Sequence, residues 1–426
     1  MTEKRSFGFN TLAIHAGARP DPATGARVTP IYQTTSYVFE SAEHAAGLFA
    51  LDTFGNIYSR IGNPTQAVLE ERLAALEGGT AALAVASGHA AQMLAFHLLL
   101  EPGDEFIAAR QLYGGSVNQF NHAFKRFGWS VVWADAEKPE SFRAAVTPKT
   151  KAIFIESMAN PGGLVVDIPA VAAVAREAGV PLIVDNTLAT PYLIRPKEHG
   201  ADIVLHSLTK FLGGHGNSIG GAIVDCGTFD WMGGGRYPMI SAPNPSYGGL
   251  SFAETFGAFG FAIAARALSL RDLGPAIAPM NAFLILTGIE TLPLRMARHC
   301  ENALAVASWL ERRPEVAWVN YSGLESHSNH ALQTRLSPKG AGAVFTFGLK
   351  GGYEAGVRFV SKLELFSHLA NIGDVRSLVI HPASTTHRQL TPEQRTSAGA
   401  GDDVVRLSIG LEDADDLIAD LAQALA

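Results

Sequence analysis

The chain has 426 residues, 47% hydrophobic and only 17% charged, with 33 Lys and Arg against 40 Asp and Glu and a formal net charge of -7. Soluble domains usually carry about 25% charged residues, and a disordered chain needs more charge and less apolar mass than this. The 43 glycines follow no three-residue period, the acidic balance gives no electrostatic footprint for nucleic acid, and the two cysteines, Cys226 and Cys300, rule out a disulfide scaffold and suit a reducing compartment.

The amino-terminal stretch MTEKRSFGFN has no apolar h-region, so no secretory signal is expected. Residues 1–60 read as an arm, because Pro20, Pro22, Pro30 and Thr34-Thr35-Ser36 interrupt periodicity and no helix or strand pattern lasts. Asn63-Pro64 then reads as a helix cap followed by proline in the first turn. Leu69, Leu73 and Leu76 share one helical face, and Gly78-Gly79 ends it. Short apolar runs follow at 83–86, 105–109, 130–134, 152–156, 181–184, 203–205 and 222–224, separated by helical patterns such as 171–178. That alternation predicts an α/β fold with a mostly parallel sheet buried on both faces. Residues 81–100 lack Asp, Glu, Lys and Arg, and 256–265 are very apolar. Ser87, Gly88, His89, Gln92 and His97 favour a strand, a glycine turn and a buried helix over a membrane span. Beyond about 285 the pattern changes. A long helix near 275–295, a helical stretch at 302–312, strands at 316–321, 343–349 and 404–409, and an amphipathic helix at 415–425 predict a smaller α+β domain. The expected division is an arm over 1–60, a large domain over 61–285 and a carboxyl-terminal domain over 286–426.

In open parallel sheets, ligands bind beyond the carboxyl ends of the strands. Four apolar runs deliver polar groups there: Ser87-Gly88-His89-Ala90, Glu156-Ser157-Met158-Ala159-Asn160, Asp185-Asn186-Thr187, and His206-Ser207-Leu208-Thr209-Lys210. Read alone, Asp185 is equally a helix cap or a salt-bridge partner. Lys210 fits a snorkelling surface lysine poorly, because apolar or glycine-rich sequence flanks it. Gly213-Gly214-His215-Gly216 is neither G-x-G-x-x-G nor a Walker A loop, which argues against a nicotinamide dehydrogenase. No metal site is expected: Cys226 and Cys300 are far apart, His327 and His330 read as solvated loop residues, and His381 and His387 as hydrogen-bonded turn residues.

The segment DIVLHSLTKF at 202–211, with PLIVDNTLATP at 181–191 and YSRIGNP at 58–64, resembles the pyridoxal-phosphate enzymes of cysteine and methionine metabolism. The resemblance runs from about residue 10 to 426 and implies the aspartate aminotransferase-like fold (fold type I). The segments NAFLILTGIETL (281–292), SHLANIGD (367–374) and HPASTTHRQL (381–390) look most like the O-acetylhomoserine sulfhydrylase branch. By resemblance, Lys210 would carry pyridoxal 5'-phosphate covalently and move protons. Asp185 would pair with the ring nitrogen, and Tyr113 would stack on the ring. The amides of Gly88 and His89 and the hydroxyls of Ser207 and Thr209 would bind the phosphate. Tyr58 and Arg60 would reach that phosphate from a neighbouring subunit, with Tyr58 also near the substrate. Asn160 would lie near the ring hydroxyl. Arg406 would clamp the substrate carboxylate, assisted by Asn371; an arginine in an apolar strand needs an anionic partner in any case.

The implied reaction is γ-replacement on O-acetyl-L-homoserine by sulfide or a small thiol. The alternatives are a cystathionine γ-synthase or a methionine or cystathionine γ-lyase. Ser116, with no cysteine nearby, disfavours the lyases. A cytoplasmic homotetramer of dimers with shared sites is implied, with neither nucleic acid nor membrane as partner. Two departures stand out: His89 where methionine or glutamine is more usual, and Gly62 where a bulkier residue is common.

Overall fold

The computed structural model describes residues 7–386, 388, 389, 391, 395 and 399–426; His387 lies outside them. Local chemistry sets the first expected helix, Pro64–Glu77. Asn63 Oδ1 accepts the Thr65 amide at 2.9 Å, Pro64 fills the first turn, and Gly78 closes the helix at φ 72. Leu69, Leu73 and Leu76 are fully buried, as their spacing requires.

The runs that follow form a seven-stranded sheet of β1 (Ala81–Val85), β2 (Glu105–Ala109), β3 (Ser130–Ala134), β4 (Thr150–Glu156), β5 (Leu182–Asp185), β6 (Ile203–Ser207) and β7 (Gly221–Asp225). Their order is β1-β7-β6-β5-β4-β2-β3. Strands β2 to β6 are mutually parallel, and β7 runs antiparallel to both of its neighbours. One face carries a cluster of Phe96, Phe106, Phe120, Phe124 and Phe154, all fully buried, with the Phe96 and Phe106 ring centroids 4.3 Å apart. The parallel register sets Glu156 beside Asp185 and Asp185 beside Leu205. Adjacent strand tips therefore present their polar residues at one end.

A second sheet holds β8 (Val316–Asn320), β9 (Val344–Leu349), β10 (Ser367–His368), β11 (Leu378–Ile380) and β12 (Val404–Ser408), in the order β10-β11-β12-β9-β8. In β12 only Arg406 is not fully buried. The helix Gly352–Lys362 packs on this sheet and on the closing helix Ala414–Leu425.

Three expectations need correction. The first 60 residues are not free of helix: Phe9–His15 and Ala42–Ala50 are helical, the latter capped by Ser41, whose Oγ accepts the His44 amide at 3.1 Å. Each buries a single residue, Ala13 or Leu48, so neither has an apolar stripe to announce it. The long helix near 275–295 is two helices, Pro279–Glu290 and Leu292–Leu310, because Pro293 cannot extend the first ladder. The stretch at 302–312 is the end of the second. His327 and His330 are half-buried rather than solvated. His327 Nε2 lies 2.7 Å from Asn320 Oδ1, and His330 opens the helix His330–Leu336. Among the described residues no helix is long and apolar enough to cross a membrane, and no group of His, Cys, Asp and Glu could hold a metal ion. His381 bonds the Asp402 carbonyl and the Ser384 hydroxyl, both at 2.9 Å.

Candidate active site

The tips of β4, β5 and β6 open on a cavity of about 220 Å³. The first sheet and its loops line it with Gly88, His89, Tyr113, Asp185, Ser207, Thr209 and Lys210; Asn160 follows β4, Arg406 comes from β12 of the second sheet, and Asn371 from the loop between β10 and β11. Ten of the twelve residues expected at the site thus meet in one space. Tyr58 and Arg60 do not line it. Tyr58 is exposed, and the Arg60 guanidinium lies 5.6 Å from its ring centroid and donates to the Arg271 carbonyl.

One wall is the amino terminus of the helix Gly88–Leu99, where Ser87 Oγ accepts the Ala90 amide at 3.1 Å. The first amides of a helix have no intrahelical acceptor, so this end attracts anions. Only glycine fits at 88, since a Cβ would stand 2.9 Å from Ser207 Cβ. The Thr209 hydroxyl shares contacts with the Gly220 backbone at 3.2 Å. The Tyr113 ring lies edge-on to His89, with centroids 5.9 Å apart.

Lys210 follows β6, and its Nζ donates to Asn371 Oδ1. Burial, and then the Arg406 charge, pull its amine down to about 8. Arg406 Nη1 donates to Asn160 Oδ1 and Nη2 to the Asn371 carbonyl, each at 3.2 Å. These are amide oxygens, so the guanidinium's charge is not neutralised by them. Burial brings Arg406 down to about 10. Asp185 Oδ1 accepts the Thr187 amide at 3.0 Å, and burial raises its pKa. Glu156 is pushed up to about 8, by burial first and the Asp185 charge second.

Residues 10–426 match the family model described as Cys/Met metabolism PLP-dependent enzyme. The chain belongs to this family. Among its relatives, the O-acetyl-L-homoserine sulfhydrylase of Leptospira meyeri is 53% identical, covering 99% of this chain and 97% of that one. The O-acetyl-L-homoserine sulfhydrylase 1 of Thermus thermophilus is 55% identical, over 98% and 100%. A Campylobacter jejuni O-acetylhomoserine (thiol)-lyase carrying N'-pyridoxyl-lysine-5'-monophosphate superposes with a TM-score of 0.94 at 40% identity, over 98% of this chain and 100% of that one. This is therefore a pyridoxal-phosphate enzyme with the aspartate aminotransferase-like fold that the sequence implied.

The cavity fits that cofactor. It offers a helix amino terminus for a phosphate, a depressed amine for a carbonyl, a half-buried carboxylate for a ring nitrogen and an exposed aromatic face. Gln92 Oε1, buried in its wall, has no partner among the described residues. Sequence reading gave no role to Gln92, Ser116, Thr187 or Glu156, which also line the cavity. Of these, Glu156 had a signal: like Asp185 and Lys210, it stands just past an apolar run.

Proposed function

We propose that the chain catalyses γ-replacement on O-acetyl-L-homoserine. A sulfur nucleophile takes the place of acetate at the γ-carbon. Sulfide then gives homocysteine and acetate, and methanethiol gives methionine and acetate. The observation that carries the reading is a half-buried guanidinium whose partners among the described residues are amide oxygens, in one cavity with a depressed lysine amine and a half-buried carboxylate. That set suits an α-amino acid, and the names of the relatives narrow it to an acetylated homoserine.

The residues divide the work. Arg406 holds the substrate α-carboxylate with its planar fork, and Asn371 steadies both Arg406 and Lys210. The amides of Gly88 and His89 and the hydroxyls of Ser207 and Thr209 would hold the cofactor phosphate. Asp185 would pair with the ring nitrogen, Tyr113 would stack on the ring, and Asn160 would lie near its hydroxyl. When bound, pyridoxal 5'-phosphate supplies an electron sink for the pair left when a C–H bond beside the amine breaks. Lys210 would hold the cofactor covalently until the substrate amine takes its place; the freed amine would then serve as the base for the α-proton and carry protons between carbons, a task shared with the Tyr113 hydroxyl.

The domain division at about residues 60 and 285 belongs to this proposal. So does the assembly, a cytoplasmic homotetramer of dimers in which Tyr58 and Arg60 of the arm complete a neighbour's phosphate site. The exposure of Val28, Val38, Phe49 and Phe54 in that arm supports a covered surface. A rate matrix of O-acetyl-, O-succinyl- and O-phospho-L-homoserine against sulfide, methanethiol and cysteine tests the reaction. Fastest release of homocysteine from the acetyl ester with sulfide is the expected result. Release of ammonia and 2-oxobutyrate from methionine, faster than any replacement, would overturn it in favour of a γ-lyase. An active monomer in sedimentation would overturn the shared site.

A further inference from the structure

We infer that Glu156 is a positioning residue of this site, whose two carboxylate oxygens tie the Tyr113 loop and the Asn160–Arg406 pair to the tip of β4. The inference rests on the γ-replacement reading only for the substrate used to test it.

Glu156 ends β4 and is 3% exposed. Its Oε1 accepts the Tyr113 amide at 2.7 Å, and its Oε2 accepts the Asn160 amide at 2.9 Å. The two donors belong to different loops, one after β2 and one after β4 itself. Asn160 in turn accepts from Arg406 through Oδ1 at 3.2 Å. A continuous path therefore runs from the aromatic ring, through one buried carboxylate, to the guanidinium on the second sheet. Tyr113 and Arg406 are held at a fixed separation, and a substrate must fit between what they bind.

The carboxylate is costly where it stands. It is buried beside Asp185 in strand register, and both effects oppose its charge. A neutral side chain would avoid that cost, so the local environment alone does not favour glutamate. Its geometry does. Two backbone N–H groups converge on one side chain from opposite sides, and a carboxylate accepts at both ends. Glutamine accepts at one end and sets an NH2 donor against the remaining amide. Aspartate is one methylene shorter and cannot reach as far.

The test is Glu156→Gln in the holoenzyme, with Glu156→Ala alongside. Three quantities are read: KM for O-acetyl-L-homoserine, KM for sulfide, and the visible circular-dichroism band of bound pyridoxal 5'-phosphate, which reports the ring's asymmetric surroundings. Glu156→Gln is expected to raise KM for the amino acid about tenfold, the scale of one buried backbone amide left without its acceptor. It should leave KM for sulfide within twofold and change the dichroism band. Glu156→Ala should show the same pattern more strongly; if it does not fold, the near-isosteric glutamine variant still decides. An unchanged band with an unchanged amino-acid KM would refute the inference. So would equal rises in both KM values with only a lowered melting temperature, which would mark general loosening. If the wild type fails to turn over O-acetyl-L-homoserine, the substrate reading falls while the dichroism comparison still decides on Glu156.

Discussion

Replacing Arg406 by methionine should move the protonation of Lys210, and the direction follows from the cavity. The Lys210 amine lies at about 8 instead of 10.5, with burial as the larger cause and the Arg406 charge as the second. At pH 7 an amine at 10.5 is unprotonated in about one molecule in 3000, and at about 8 in roughly one in ten, a gain of roughly 300-fold. Attachment of a carbonyl cofactor needs the unprotonated form. The rate at which pyridoxal 5'-phosphate attaches to the apoprotein, followed by absorbance, should rise with pH and level off above about 8. In Arg406→Met the like charge is gone but the burial remains. The midpoint should therefore move upward and stay below 10.5. The same variant should bind the amino-acid substrate more weakly, by about 1.5–3 kcal/mol or roughly 10- to 150-fold in kcat/KM, because hydrogen bonds to charged groups are worth that much. A wild-type midpoint near 10.5, or a downward move in the variant, would refute the reasoning.

Three further outcomes are expected. Gly88→Ala sets a methyl 2.9 Å from Ser207 Cβ, so equilibrium titration should show cofactor affinity falling at least about tenfold, and the apoprotein's unfolding free energy in urea should fall by the about 1–3 kcal/mol of an overpacked contact. Undiminished affinity would mean that this turn does not cradle the phosphate. Phe96→Ala empties a fully buried position in the aromatic cluster and should cost about 3–5 kcal/mol of unfolding free energy in urea. Asp225 is raised from 3.8 to about 7, chiefly by burial. Between those values the folded chain binds the proton that the unfolded chain releases, so this group's contribution to stability falls as pH rises through the window. Asp225→Asn should flatten the decline in melting temperature between about pH 4 and 7; an unchanged slope there would exclude that account.

Much of the scaffold is written in local pattern. Asn63, Pro64 and Gly78 mark a helix that begins and ends where they stand. The seven apolar runs became the seven strands of the first sheet, with ends displaced by two residues or fewer. The Lys210 turn was legible because a lysine between apolar and glycine-rich flanks has little reason to be there unless it is used. What stayed hidden lacked a period or was too short to show one. Strands β10 and β11 have two and three residues. The helices at 9–15 and 42–50 each bury one side chain. The break at Thr291 was lost inside an apolar stretch that read as one helix, although Pro293 was in plain view.

The sequence by itself determined the α/β alternation, the strand tips that carry polar residues, and the motifs of a pyridoxal-phosphate family. Those properties depend on side-chain period, caps and turns, which act over a few residues. Only the tertiary structure decided which polar residues meet. Lys210 reaches Asn371 across 161 positions, and Asn160 reaches Arg406 across 246. Glu156 gained its Tyr113 amide partner across 43 positions, from a loop whose approach is set by strand order and register. Such contacts arise from the packing of two sheets, and no local rule of sequence specifies the distance between groups so far apart along the chain.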